Sequence, residues 1–408
     1  MKNLLRIISV SLFLLALSCG GKKEKMQDEG ITVLNIEEAL DNEMATVNLS
    51  RYASSVKYIP LETTEESLLG EVSSFSTDGK NFYLASLNGN SALEFSSDGK
   101  FVKAIGTKGR GPGEHMGVGK IFLTTESLLG IMTYNKSIIY NTEGKYVSEL
   151  SGFGNTGVSR AENLCNYGEN EFILIHTYTD STIMKRKEEL CIIDQNGKIL
   201  LNYLLGELHS RPTEYQFYGK ISMPRPMISK LYTYGSEYRL VNGRFDTIFT
   251  YIPDYGKKAS YIMDYGKYHD SAIEASDFEN RINPESNIIM ETEKFLLFGM
   301  FLPAEEWPMF TKVETMGGSH VIFLYDKADG KISLLKPNSI TKLSSFINDL
   351  DDGLPFSPQY LQNGIMYQII DAMTFIEAAR ESGSPQMQSI AAQLTDESNP
   401  VIMAVQLQ

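Results

Sequence analysis

Residues 91–106 read SALEFSSDGKFVKAIG, and the same form returns four more times along the chain. The later copies are SIIYNTEGKYVSELSG (137–152), ELCIIDQNGKILLNYLLG (189–206), TIFTYIPDYGKKASYIMDYG (247–266) and HVIFLYDKADGKISLLKP (320–337). Each joins two apolar, β-prone runs through a polar turn containing Gly99, Gly144, Gly197, Gly256 or Gly330. Such turns close hairpins because their backbone must reach positive φ, which Gly, Asn and Asp tolerate best. The turn glycines are 45, 53, 59 and 74 residues apart. The first interval is the length of one four-stranded propeller blade, and the longer ones leave room for insertions. Upstream apolar runs such as NFYLASL (81–87), EFILIHTY (171–178) and KFLLFGMF (294–301) supply the missing strands.

The ends of the chain, VKYIPLET (56–63) and NPVIMAVQLQ (399–408), are also strand-like. Pairing them in one composite blade would close a ring and hide two sheet edges. Five hairpins and one composite give an all-β, six-bladed β-propeller over residues 31–408, with few short helical insertions. Helical pattern is confined to the neighbourhoods of Ile36–Asn42, Ser271–Ile282 and Thr374–Ala379, the last extending toward Leu394. That is too little for a parallel α/β fold, which needs a helix after each strand.

The first eighteen residues have the shape of a signal peptide. Lys2 and Arg6 precede an apolar run from Ile7 to Leu17. Eleven helical residues span about 16 Å, short of the roughly 30 Å needed to cross a bilayer. Small residues flank Cys19, which resembles a lipobox with Leu17 in place of a small residue. Residues 1–18 are thus expected to be removed, Cys19 to carry diacylglycerol and acyl lipid, and residues 19–30 to form a polar tether. The expected location is the cell envelope, on the outer membrane, with the periplasmic or surface side left open.

Formal charge is −14 for the whole chain and becomes −16 without residues 1–18. So acidic a body is a poor partner for nucleic acid. Its expected partners are the membrane, through the lipid, and a glycan, a peptide or an envelope protein. Cys165 and Cys191 lie in apolar surroundings (NLCNY, ELCII) and read as buried thiols, a single disulfide being the alternative.

The segment FSSDGKFVKAIGTKGRGPGEHMGVGKIFL (95–123) resembles the NHL-type propeller repeat, through Gly106, Gly109, Gly111, Pro112, Gly113 and Glu114. His115 stands where that repeat usually has Phe or Tyr. The phrases SSVKYIPLETTEESLLGEV (54–72), GRFDTIFTY (243–251), MDYGKYHD (263–270) and ESNPVIMAVQLQ (397–408) resemble the six-bladed β-propeller lipoproteins of Bacteroidetes. The resemblance implies fold and compartment and leaves the activity open.

Gly109, Arg110, Gly111, Pro112, Gly113 and Glu114 read as a structural link between blades, with an Arg110–Glu114 ion pair expected to hold it. No P-loop pattern is present. The five histidines (His115, His176, His209, His269, His320) form no H-x-x-x-H motif. No cofactor is expected, although a propeller can hold a metal in its channel through scattered residues, and His176 is the first histidine to consider for that role. Two insertions, 209–227 and 302–318, suggest a ligand surface built from Arg211, Tyr215, Tyr218, Arg225, Trp307 and Phe310. These combine stacking rings with hydrogen-bond donors. The sequence therefore favours a non-catalytic binding or scaffold lipoprotein, in the context of nutrient uptake. The alternative is a propeller lyase or hydrolase with a channel metal.

Overall fold

The structure is a computed structural model that describes residues 30–408 apart from 87–88, 125–126, 134–135, 152–159, 170, 181, 184, 209, 217–219, 253–255, 275–280, 285 and 314–317. The expected signal peptide (1–18) and residues 19–29 of the expected tether lie outside the described residues.

Six antiparallel sheets follow one another around a ring. Blade 1 comprises Val72–Thr77, Asn81–Ser86, Ala92–Ser96 and Phe101–Ile105, and blade 2 comprises Lys120–Leu123, Leu129–Met132, Lys136–Tyr140 and Tyr146–Ser151. Blade 3 holds the longest strands, Arg160–Gly168, Glu171–Asp180, Lys185–Asp194 and Ile199–Glu207. Blade 4 is built from Lys230–Tyr234, Glu237–Val241, Thr247–Ile252 and Gly256–Asp264, and blade 5 from Ile289–Glu291, Phe295–Pro303, Gly318–Asp326 and Lys331–Leu334. The first strands of blades 1 and 2, 3 and 4, 4 and 5, and 6 and 1 approach each other, which places first strands around the central axis.

All five repeat glycines are the turns between third and fourth strands. Their φ values run from 68° to 90°, the left-handed region that a side chain resists. Blade 6 has no such hairpin. Its first three strands are Tyr360–Gln362, Ile365–Ile370 and Val401–Leu407, and its fourth is Ala53–Pro60 from the other end of the chain. Tyr58 stands opposite Met403 and Ile59 opposite Ile402 in that antiparallel pair.

The N-terminal segment does more than complete blade 6. Thr32–Asn35 pairs in parallel with Gly256–Asp264 and adds a fifth strand to blade 4. Helix α1 (Ile36–Asp41) follows, capped by the Asn35 side chain at 3.1 Å from the Glu38 N–H. The chain then bridges to blade 5, where Ala45 N–H donates to Leu334 O at 2.8 Å. Next, Leu49 N–H donates to Ile347 O at 2.8 Å. Arg51 pairs with Asp326 at 2.5 Å just before the closing strand begins. Residues 30–60 are thus a belt across blades 4, 5 and 6.

The buried side chains fall into six apolar clusters, one in each gap between neighbouring blades. This explains why the middle strands read as continuous apolar runs. All nine residues of Phe295–Pro303 are buried, because blade 4 covers one face and blade 6 the other. Helices α2 (Ala372–Glu381) and α3 (Pro385–Ala391) extend the gap between blades 5 and 6, with Phe375 and Met387 fully buried there. The expected 374–394 helix is broken where Gly383–Ser384–Pro385 ends α2 and starts α3. Of the stretch expected as helix from Ser271 to Ile282, the described residues show a π-helical turn, Asp270–Glu274, and 275–280 lie outside them.

One buried carboxylate ties blades 4 and 5 together. Glu291 Oε1 accepts from Tyr261 and Lys327, both at 2.8 Å. Its Oε2 accepts from Tyr232 at 2.9 Å and Arg239 at 3.2 Å. Burial alone would raise this acid, yet Lys327, Tyr261 and Arg239 hold it below its ordinary value. Removing the carboxylate would leave two cations in a gap with little access to water. Glu291→Ala is expected to cost about 3–5 kcal/mol in urea unfolding. A loss under about 1 kcal/mol would show that Arg239, which also pairs with Glu237, holds the gap without it.

Candidate functional site

Strand direction sorts the connections between two faces. Strands within a blade alternate in direction, so turns between first and second and between third and fourth strands share one face. Those turns are all two to five residues long. Links between blades, and loops between second and third strands, share the opposite face. The long insertions are there: 208–229, 265–288, 304–317, 335–359 and 371–400. The molecule has a plain face and an elaborated one.

The link between blades 1 and 2 crosses the elaborated face. Glu114 Oε2 accepts from Gly111 N–H at 2.7 Å, and the would-be Cβ of Gly109 meets the same oxygen at 2.0 Å. A side chain at Gly109 would therefore have to displace the carboxylate that pins the loop. The expected Arg110–Glu114 ion pair is not formed: Arg110 is exposed and a backbone N–H takes its place. Gly113, at φ 73°, lies against the Tyr146 ring and accepts from Tyr140 OH at 2.7 Å.

His115 ends this link and is fully buried, and neither ring nitrogen has a hydrogen-bond partner among the described residues. Burial, then Lys136 and Lys108, hold its pKa below the ordinary value. The ring is a neutral packing group in a place suited to an aromatic. His320, 2.9 Å from Ser286 Oγ, is lowered by burial to about 4. As pH falls below about 6.5 the unfolded chain takes up protons on both positions before the folded chain does, so stability falls. His115→Phe is expected to raise stability by about 1–3 kcal/mol at neutral pH and to flatten, without abolishing, that acid slope. Equal Tm values for the two proteins between pH 7 and 5 would refute this.

The residues proposed from the two insertions are differently placed. Strands Ser210–Gln216 and Lys220–Pro226 form a hairpin in which Arg211 is opposite Arg225 and Tyr215 opposite Ile221. Tyr218 lies outside the described residues. On the blade 5 loop Phe310 is only 3% exposed and packs into the gap between blades 4 and 5. Trp307 is half-buried beside it, with ring centroids 6.3 Å apart. Hairpin and loop share the elaborated face.

A cavity of about 620 Å³ opens on that face between blades 6 and 1. Leu69, Glu71, Asp371, Met373, Asp396 and Glu397 contribute to its wall. Asp371 caps α2 by accepting from Thr374 N–H at 2.8 Å. Buried Asn399 fixes the opposite wall, donating to Glu62 O at 2.7 Å and Ser67 O at 2.8 Å and accepting from Leu69 N–H at 2.9 Å. Four carboxylates around one opening disfavour anions and favour cationic or hydroxyl-bearing groups. The cavity was not legible in the sequence, because its walls come from stretches some 300 positions apart.

Cys165 and Cys191 are thiols that are not joined in a disulfide. They belong to opposite faces of blade 3, and burial pushes them up to about 11 and about 12 respectively. Among the described residues one group of three or more metal-ligating side chains is found: His176, Glu189 and Cys191. These lie on the second and third strands of blade 3, away from the channel wall. Glu291, the acid on the inner strand of blade 5, is already shared among four donors. No helix among the described residues is long and apolar enough to cross a membrane.

A family model described as Domain of unknown function (DUF4934) matches residues 31–406. The chain belongs to the DUF4934 family. A solved structure of a protein described as exported, from Bacteroides fragilis, matches this DUF4934 chain with a TM-score of 0.60 at 16% identity, covering 93% of this chain and 99% of that one. A protein of unknown function from Bacteroides thetaiotaomicron matches with a TM-score of 0.40 at 9% identity, covering 89% and 75%. The extracellular domain of a hybrid two-component system from the same species matches at 0.40 and 9%, covering 87% and 43%. The first of these likenesses speaks to the fold alone, and the others carry no argument. No curated protein matches.

Proposed function

We propose that this protein is a non-catalytic binding lipoprotein of the cell envelope, holding a peptide, protein or glycan partner on its elaborated face. The observation that carries the reading is the asymmetry of the ring: the long insertions and the cavity walled by Asp371, Asp396 and Glu397 are on one side. Loops on a rigid scaffold are where recognition is usually built. In this reading residues 1–18 direct export and Cys19 bears the lipid. Thr32–Asn35 runs parallel to Gly256–Asp264, which starts at the plain face, and Gly30 lies near Lys258. A tether entering there leaves the plain face toward the membrane and the elaborated face outward, suited to a role beside an envelope uptake system. The alternative, a channel-metal lyase or hydrolase, rests on fold analogy alone.

The acidic cavity favours partners bearing Lys or Arg. Such peptides are expected to bind in calorimetric titration with an affinity that falls as salt rises. Asp396→Lys combined with Glu397→Lys should weaken that binding at least tenfold. An unchanged affinity, or equal binding of polyanionic glycans, would remove the cavity from the account. Separately, Cys19→Ser should move the protein out of the membrane fraction, and a variant still processed and membrane-bound would contradict the anchor.

A further inference from the structure

We propose that His176, Glu189 and Cys191 form a binding site for a soft divalent transition metal, zinc(II) in the first place. The site lies between blades 2 and 3 and is distinct from the cavity and the channel. In the register of blade 3, His176 is directly opposite Glu189. Cys191 follows two residues later and therefore projects on the same side of the sheet. That side looks toward blade 2, because Leu174 and Cys191 pack there with Ile139 and Leu150.

The donor atoms of the three residues all lie within 4.8 Å of one another. His176 Nδ1 and Glu189 Oε2 are 3.8 Å apart, too far for a hydrogen bond. Two donors on one tetrahedral zinc, at about 2.0–2.3 Å from the ion, stand roughly 3.3–3.8 Å apart. The spacing therefore suits ligands of a common ion better than a direct contact. The surroundings orient both groups. Tyr178 OH donates to Glu189 Oε1 at 2.9 Å, and Oε2, which accepts from Asn202 Nδ2 at 3.4 Å, is the oxygen nearer the histidine. The Tyr178 ring stacks on the His176 ring at 5.5 Å and 16°. Such outer contacts fix the orientation of metal ligands.

The donor set also selects the metal. A thiolate with an imidazole favours zinc and its neighbours over magnesium or calcium, which prefer oxygen. Binding exchanges the Cys191 thiol proton for the metal, so one proton is released to solvent for each ion bound. Three protein ligands leave the fourth position for water or an outside donor.

The test uses the full chain, stripped of metal with a chelator and titrated with zinc chloride and with cobalt(II) chloride. One equivalent of zinc should bind and raise the Tm, as any ligand of the folded state does. Cobalt should give a thiolate-to-metal charge-transfer band in the near ultraviolet. Cys191→Ser should abolish the band and weaken zinc at least tenfold, whereas Cys165→Ser and Cys19→Ser should retain both. Glu189→Gln, at a partly exposed position, provides the second variant should Cys191→Ser fail to fold, and it too should weaken zinc at least tenfold. No cobalt band, a band surviving in Cys191→Ser, unchanged affinity in Glu189→Gln, or an equal Tm rise with calcium would each overturn the proposal.

Discussion

The ring depends on one antiparallel pairing, between Ala53–Pro60 and Val401–Leu407. A propeller blade needs neighbours on both sides to bury its two faces, so a linear array would leave apolar surface bare at each end. Here the last three strands of the chain wait for a fourth that was synthesised first. The belt that brings it, residues 30–60, also adds a strand to blade 4 and hydrogen bonds to blade 5. Half of the ring is therefore held by a segment distant in sequence from the blades it secures. Joining segments so far apart in sequence carries a closure entropy that the packing of the whole ring must offset.

Once closed, the six gaps share the work of stability. Each gap contains an apolar cluster, and the one between blades 4 and 5 adds the carboxylate of Glu291 with its four donors. The plain face is tight turns throughout. Everything that could vary without disturbing the gaps is gathered on the other face, including α2 and α3, the hairpin of residues 210–226 and the acidic cavity. A scaffold with one constrained face and one free face suits a protein that holds something outward from a surface.

The five hairpins could be read from the sequence because each Gly answers a local demand: a positive φ that any homologous turn would need. The helical pattern near Ile36–Asn42 and Thr374–Ala379 is met by α1 and α2, which the structure shows to be capped locally by the Asn35 and Asp371 side chains. What failed were inferences that depended on distant neighbours. Arg110 looked like the partner of Glu114, but a backbone N–H three residues away was closer. Phe310 looked like a recognition residue, and it is buried because blade 4 lies against that loop. His176 was singled out for its strand-end position. Its companions Glu189 and Cys191 became visible only with the cross-strand register. The cavity had no local signature at all, since the ring closure itself brings Glu71 beside Asp396.

The most direct measurement of this account is the thermal unfolding of a chain lacking residues 399–408. The deletion removes the strand between Ile365–Ile370 and Ala53–Pro60, together with Asn399, which pins the link into blade 1. Each buried side chain of Val401–Val405 contributes about 1.5–3 kcal/mol, a large share of the stability of any domain. The account predicts loss of the cooperative transition and exposed edges that aggregate. A truncated chain that melts cooperatively at the temperature of the intact protein would contradict it.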